Sequence, residues 1–340
     1  MSAKVSIYDV ANEVGVSPAT VSYVINGKGK VSESTKKKII AAMKRVGYTP
    51  NNAAISLSTG KSRLVGVCLP YGDASNGFVN NPFYAEFIGS FQKEMSSRSY
   101  DVVMGSIRSE KLFCSWVQSR GLDALVLFGL YSNKILGAIK KLKIPCVLVD
   151  VYNDKMQGFT NVRVNDYLGS YLATNYLIEQ GHKDIGFVSG TVESILDQKR
   201  YEGFKKAMFY HGYPVKDELV FHTATTLEGG EEAAIKLLPK LKEMTALVCD
   251  ADIIAIGVIR KLQELKVSIP GQLSIIGFDD ISAAKYIYPS LTTIRQDISE
   301  KGRLSARAIL SELDDGNAAT ETIVIEPKIV VRDSVKKLKL

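Results

Sequence analysis

Four neighbouring residues carry the first chemistry the chain offers. Ala19, Thr20, Ser22 and Tyr23 put a methyl, two hydroxyls and a phenol on one side of a short segment, small and polar enough at its start to approach another surface closely. Val21, Val24 and Ile25 fall on the other side at helical spacing. Ser17 can cap this helix, and Pro18 suits its first turn, where a missing N–H costs nothing because that donor has no intrahelical partner. In the preceding run Ile7, Val10, Ala11 and Val14 recur at i, i+3, i+4 and i+7. Ser6 and Asp9 have capping-box spacing, and Gly15 ends that helix. Two short helices and a tight turn of this kind form a helix-turn-helix, whose second helix enters the DNA major groove by its N-terminal residues. A plain helical hairpin at the edge of a core has the same local pattern.

Charge separates the two readings. A third helix is expected from about Ser32 to Val46, with Ile39, Ile40, Met43 and Val46 on one side and Lys36, Lys37, Lys38, Lys44 and Arg45 elsewhere. Residues 1–63 hold ten Lys/Arg against three acids, a net charge of +7, and the 340-residue chain is also +7. The rest therefore sums to zero, and all the basic excess sits on the end expected to meet DNA.

The run IYDVANEVGVSPATVSYVINGKGKVSESTKKKIIAAMKRVGYTPNNAAISL resembles the headpiece of the lactose-repressor (LacI/GalR) family of bacterial transcription regulators. By that resemblance Pro18, Ala19, Thr20 and Tyr23 stand where the family reads base edges, and Ser6, Ser17, Ser22, Asn26, Tyr48, Asn51 and Ala54 join them in meeting DNA. Ala19 and the Thr20 methyl suit a thymine methyl. The family usually has Arg where this chain has Tyr23, which removes a bidentate guanine contact and leaves the half-site sequence open. YTPNNAAISLS resembles the hinge helix that folds on DNA, with Leu57 at the position that wedges between base steps in the minor groove; otherwise Leu57 is a linker residue packed on its neighbour. This divides the chain into a headpiece at 1–49, a hinge and linker at 50–63, and a core at 64–340.

In the core, helices alone give way to alternation. Apolar runs at 64–70, 101–106, 123–129 and 145–150 are separated by amphipathic stretches, and a second series follows at 184–190, 218–222, 246–250 and 273–280. Helices are expected at about Tyr167–Gln180, Ser194–His211, Gly229–Leu241 and Ile253–Leu265. Such alternation implies parallel βαβ units, here two doubly wound lobes. GHKDIGFVSG and VSIPGQLSIIGFDDISAAKYIYPSLTTIRQD again resemble the family and imply a core like that of periplasmic sugar-binding proteins. The N-lobe is then 64–163 with 294–322, and the C-lobe 164–293 with 323–340. Three crossings are expected, near 162–165, 291–295 and 320–325.

Open parallel sheets bind ligands beyond the carboxyl ends of their strands. Asp150 and Asp279 close strands, and Arg200 opens RYEGF in the helix after DIGFVSG. Carboxylates and a guanidinium suit vicinal hydroxyls of a sugar or the edge of a purine. These positions match the family's effector-binding Asp, Asp and Arg, and Tyr84 matches one where an aromatic often covers the ligand ring. The alternative for Arg200 and Asp279 is a structural ion pair or helix cap; for Asp150 and Tyr84 a purely structural role is equally open. Ala251 precedes Asp252 where some sugar-responsive relatives carry Asn, and the loop at 71–82 is longer than usual. A small polar effector is expected, a sugar or sugar derivative.

The chain has no apolar leader or membrane-length run, so a soluble cytoplasmic protein is expected. Cys68, Cys114, Cys146 and Cys249 form no C-x-x-C pair and are expected to be buried and inert; His182, His211 and His222 share no metal-ligand spacing. No phosphate loop, dinucleotide fingerprint, nucleophile elbow or H-E-x-x-H is present, so neither catalytic residue nor cofactor is expected, although doubly wound folds host many enzymes. The family and the symmetry of operators imply a homodimer on double-stranded operator DNA. VVRDSVKKLKL is too short for a tetramerising heptad tail. Regulation through a partner protein, as in some global carbon regulators of the family, is the alternative to a cleft ligand.

Overall fold

The computed structural model describes residues 5–26, 31–50, 56, 60–70, 81–107, 109–129, 133–152, 158–190, 194–316 and 320–338. The chain divides into two compact units, Met1–Leu64 with Val117–Asp123, and the remainder.

Among the described residues the first unit holds α1 Ile7–Val14, α2 Pro18–Ile25 and α3 Glu33–Val46. Their apolar faces meet in a small core of Val10, Ala11, Val21, Ile39 and Ala42, with Ile7, Val24, Met43 and Tyr48 packed against it. The ends are closed locally. The Asp9 carboxylate accepts from the Ser6 N–H and hydroxyl at 2.7 and 2.8 Å, Ser17 Oγ accepts from Thr20 N–H at 3.1 Å, and Ser32 Oγ accepts from Thr35 N–H at 3.2 Å. Gly15 and Gly47 take the left-handed conformation that ends a helix without the clash a Cβ brings.

In the second unit the chain runs β1 Leu64–Pro70, α4 Pro82–Ser96, β2 Asp101–Ile107, α5 Glu110–Arg120, β3 Ala124–Phe128, α6 Asn133–Leu142, β4 Cys146–Val149 and β5 Thr160–Val164. It continues α7 Asp166–Glu179, β6 Ile185–Ser189, α8 Ile195–Tyr210, β7 Val220–His222, α9 Leu227–Leu237, β8 Ala246–Cys249, α10 Asp252–Glu264, β9 Ser274–Asp279, β10 Thr292–Arg295, α11 Ile298–Asp315, β11 Thr322–Ile325 and β12 Lys328–Val330. Two six-stranded sheets result, ordered β11-β5-β4-β3-β1-β2 and β12-β10-β9-β8-β6-β7. In both, the first strand of the lobe lies between the second and the third, a doubly wound order. β12 departs from an all-parallel lobe by pairing antiparallel with β10.

The lobes interleave. β5 pairs in the first sheet while α7, which follows it, packs in the second lobe; β10 lies in the second sheet while α11 packs on α4 in the first; β11 and β12 then divide between the sheets. The crossings thus fall near 165, near 296–297 and near 326–327, a few residues beyond the last two sequence-based boundaries. Those boundaries cut through β10 and β11, because apolar runs of four residues do not reveal which sheet they join. Neither α11 nor β5, β10, β11 and β12 belongs to the series read from apolar runs. The helix expected at Gly229–Leu241 ends earlier, at Leu237, and continues as a 3₁₀ turn over Leu238–Glu243, where Pro239 cannot donate to an α-helical ladder. Cys68, Cys146 and Cys249 are buried in strands, whereas Cys114 lies half-buried on α5, a correction to the expectation for all four.

Aromatic packing holds the first lobe: Phe87 of α4 meets Phe128 edge-on at 4.6 Å and stacks on Phe91 at 5.9 Å. In the second lobe α7 and α8 approach until a Cβ at Gly203 would collide with the Tyr167 carbonyl. Gly203 is three residues after Arg200, so this contact fixes where Arg200 stands relative to the start of α7. Gly203→Ala should lower unfolding free energy by about 1–3 kcal/mol, the usual cost of overpacking. Denaturant titration would read this, and an unchanged midpoint would show that the helices separate freely.

Candidate functional site

Asp150, Arg200 and Asp279 come together in one polar chain. Arg200, only 5% exposed, donates from Nε to Asp166 Oδ1 at 2.7 Å and from a terminal nitrogen to the Asp250 carbonyl; that nitrogen lies 3.7 Å from Asp279 Oδ1. Its guanidinium covers the Phe278 ring, 3.7 Å from the centroid. Asp279 Oδ1 accepts from Gln296 Nε2 at 2.5 Å, and Gln296 Oε1 accepts from the Lys301 ammonium. Lys301, wholly buried on α11, grips both Asp150 oxygens at 2.7 Å. At the other end the Tyr152 hydroxyl donates to Asp166. The chain runs from Asp150 in the first lobe, through Gln296 at the second crossing, to Asp279 and Arg200 in the second.

Backbone shape supports a built site. Asp150, Asp279 and Asp280 all have positive φ, at 53°, 122° and 57°, conformations that cost non-glycine residues free energy and persist where surroundings enforce them. Asp279 turns inward, while Asp280 turns to Arg295 at 2.6 Å and Arg332 at 2.5 Å. A cavity of about 280 Å³ opens beside them, lined also by Glu86, Ser282 and Lys285.

Tyr84, on α4, stands edge-on to Phe128 at 5.7 Å and to Phe83 at 5.3 Å, and Phe83 lies 5.4 Å below the Lys301 ammonium. It borders the chain through rings and is half-buried. Lys301, Gln296, Asp166 and Asp250 complete the arrangement and were not anticipated. Only ‘QD’ before an amphipathic helix and ‘CDAD’ after a strand signalled them, and neither names a partner. The ion-pair alternative for Arg200 and Asp279 describes their contacts here. Asp252, after Ala251, is a brace: it accepts from Ile281 N–H at 3.0 Å and from Thr293 Oγ1 at 2.5 Å.

Electrostatics follow from burial. Loss of solvation pushes the carboxyls of Asp150, Asp250, Asp252 and Asp279 up, Asp279 to about 6 although Arg200, the Gln296 hydrogen bond and Lys301 pull it down. Burial alone would lower Arg200, but Asp166, Asp279 and Asp250 outweigh it and raise it, so the guanidinium stays charged.

On the headpiece, α2 leaves Ala19 and Tyr23 exposed and Pro18, Thr20 and Ser22 half-exposed. Ser17 and Thr20 share a hydroxyl contact at 2.9 Å, and Asn26 Nδ2 donates to Ser22 Oγ at 3.1 Å while its Oδ1 is buried without a partner among the described residues. Ser6 is engaged with Asp9. Tyr48 packs on the headpiece core, so most of its ring is structural. Asn51, Ala54 and Leu57, with most of the loop at 71–82, lie outside the described residues.

A helix-turn-helix joined to a two-lobed cleft core defines the class: a DNA-reading module carried by a ligand-binding fold. Residues 6–51 match the bacterial regulatory proteins of the lacI family, and residues 174–335 match the periplasmic binding protein-like domain. The chain is 32% identical over 337 residues to the HTH-type transcriptional repressor PurR of Photorhabdus laumondii, covering 97% of this chain and 96% of that one. A LacI family regulator from Enterococcus faecium with bound ribose is 27% identical, with a TM-score of 0.72 over 81% of this chain and 100% of that one. The lac repressor dimer bound to operator and an anti-inducer shares the fold, with a TM-score of 0.83 at 22% identity over 98% of this chain and 100% of that one. The chain belongs to the lacI family of bacterial regulatory proteins and is a DNA-binding transcriptional regulator.

The raised carboxyls have a consequence for stability. Unfolded aspartates lose their proton near 3.8, whereas folded Asp279 keeps its proton to about 6. The folded state therefore binds more protons between those values, and stability falls as pH rises through that window. Asp279→Asn should flatten the decline in melting temperature between about pH 4.5 and 7. An equally steep profile in the variant would assign the slope to Asp150, Asp250 and Asp252.

Proposed function

We propose that this protein is a repressor that holds a pseudo-palindromic operator as a homodimer and changes its grip when a small polar molecule, a sugar or sugar derivative, binds between the core lobes. The reading rests on the polar chain from Asp150 to Arg200. A ligand that offers hydroxyls to Asp150 or Asp279 must replace Lys301 or Gln296 in that chain, and Gln296 sits where the lobes exchange strands. Ligand binding therefore biases the lobe angle, and only a differential affinity for the two angles shifts the equilibrium. The ribose-bound Enterococcus faecium regulator supports a polyhydroxyl ligand. Relatives that are regulators rather than enzymes support a role without catalysis, and DNA as partner implies the cytoplasm.

In this reading Ala19, Thr20 and Tyr23 meet base edges, Lys36, Lys37 and Lys38 meet phosphates, and Leu57 acts as the minor-groove wedge. Two equivalent headpieces require an inverted repeat, since each recognition helix reads one half-site.

Selection of bound sequences from a random DNA library tests this directly. It should return an inverted repeat, and Tyr23→Arg should change the preferred base at one position of each half-site. Lys36→Ala should weaken binding to every sequence and reduce the salt slope by about one unit. Recovery without any consensus would sink the sequence-reading role. Asp279→Asn should hold operator affinity within about threefold while losing the response to a ligand found by thermal shift; a variant that still responds removes Asp279 from the site.

A further inference from the structure

Where the linker ends and the first strand begins, the backbone is tied to one carboxylate. Asp123 stands immediately before β3, and its Oδ1 accepts from the Ser62 N–H at 3.0 Å and from the Ser62 hydroxyl at 3.1 Å. Its Oδ2 accepts from the Arg63 N–H at 2.8 Å. Two further bonds close the same knot: Asp123 N–H donates to the Leu64 carbonyl at 2.9 Å, and Leu64 N–H donates to Ser62 Oγ at 3.1 Å. Arg63 is held at a φ of 58°, a conformation that costs a side-chain-bearing residue free energy and persists where contacts enforce it. Arg63 is exposed and Ser62 only half-buried, so hydrogen bonds to a charged acceptor, rather than apolar burial, fix their path.

The knot has rigid structure on one side and the hinge on the other. Leu64 and Asp123 lead directly into β1 and β3, interior strands of the first sheet that pair with Val65 opposite Ala124. Toward the headpiece, Gly60 takes a φ of 71° and donates its N–H to the Ser56 carbonyl at 2.8 Å, which ends a helical turn. Lys61 alone separates Gly60 from Ser62. Without the carboxylate, Ser62 and Arg63 would join the free linker and lengthen its reach by about 7 Å, at about 3.3–3.6 Å per residue. Successive base pairs rise by about 3.4 Å, so the knot withholds about two steps of reach from each headpiece.

Resting on the reading of a dimer that holds two half-sites, we propose that Asp123 is a positioning residue for operator binding: it pins the origin of the hinge to the first sheet and thereby sets the half-site spacing that the headpieces accept. Base edges decide which sequence is bound, and the pinned origin decides how far apart its two copies stand.

The test uses the full-length protein and the inverted repeat recovered by selection, rebuilt with one or two base pairs inserted between its half-sites. Asp123→Ala should bind the unaltered repeat within about threefold of wild type, since two more flexible residues dilute a tethered headpiece only slightly. Two inserted pairs should cost wild type about thirtyfold in affinity and Asp123→Ala only about threefold. Ser62→Ala, which removes the hydroxyl bond, should fall between them, and it carries the comparison from the exposed side if Asp123→Ala folds poorly. Trypsin supplies a readout without DNA: cleavage after Arg63, followed by mass spectrometry, should be about tenfold faster in Asp123→Ala, while the core melts within a few degrees of wild type. Equal losses for wild type and variants at every spacing would assign Asp123 to the fold alone and overturn the proposal, as would unchanged cleavage. A wild type indifferent to the inserted pairs overturns the pinned origin and leaves the sequence-reading role standing. If selection returns no inverted repeat, the dimer reading falls, visibly in wild type, and the role of Asp123 falls with it.

Discussion

A guanidinium without solvent must be matched on several donors at once, and Arg200 draws those matches from three other places in the chain. Asp166 comes from the first turn of α7, the Asp250 carbonyl from the end of β8, Asp279 and Phe278 from the end of β9, while Arg200 itself stands on α8. None of these elements can shift without exposing or orphaning a buried charge, a loss of several kcal/mol when one partner of such a pair is removed. A well-packed apolar substitute would serve stability as well. What the charge adds is definition, because it holds the ends of β8 and β9 and the start of α7 in a single arrangement. Gly203 makes this possible by letting α7 and α8 close on each other.

That arrangement is passed between lobes by side chains rather than by an apolar seam. Gln296 donates to Asp279 on one side and accepts from Lys301 on the other, and it lies between β10 in the second sheet and α11 in the first lobe. A single amide thus reports the state of both lobes. A polar bridge of this kind has competing solutions of similar energy once a ligand supplies other donors and acceptors. On the proposed reading, this allows a modest differential affinity to choose between lobe angles. The positive φ angles at Asp150 and Asp279 fit the same account, since strain concentrates where surrounding contacts hold a side chain at a site.

The headpiece solves a different problem with fewer parts. A core of Val10, Ala11, Val21, Ile39 and Ala42 is small, and its helices depend on local caps at Ser6, Ser17, Ser32, Gly15 and Gly47. The outward face of α2 stays free of large apolar groups apart from Tyr23, and the lysines of α3 point to solvent. On the proposed reading, affinity from charge and selectivity from base edges are carried by different helices.

Residue order alone determined the features that depend on near neighbours. Helical periodicity, cap spacing and segregated charge made the three headpiece helices legible, and apolar runs of five or more residues revealed the strands that begin each lobe. The motif RYEGF and the strand-ending aspartates marked Arg200, Asp150 and Asp279, because a charged residue after a buried strand is conspicuous. Tertiary structure alone decided what those residues touch. Asp166 and Asp250 lie 34 and 50 residues from the Arg200 they meet, Lys301 lies 151 from Asp150, and Gln296 lies 17 from Asp279. No local pattern encodes such distances. Short strands such as β10, β11 and β12 were equally hidden, since four apolar residues suit either sheet until the crossings are formed. Chemistry was written in the side chains, but their pairing waited on the folding of two lobes through each other, which sets an isolated carboxylate beside its cation.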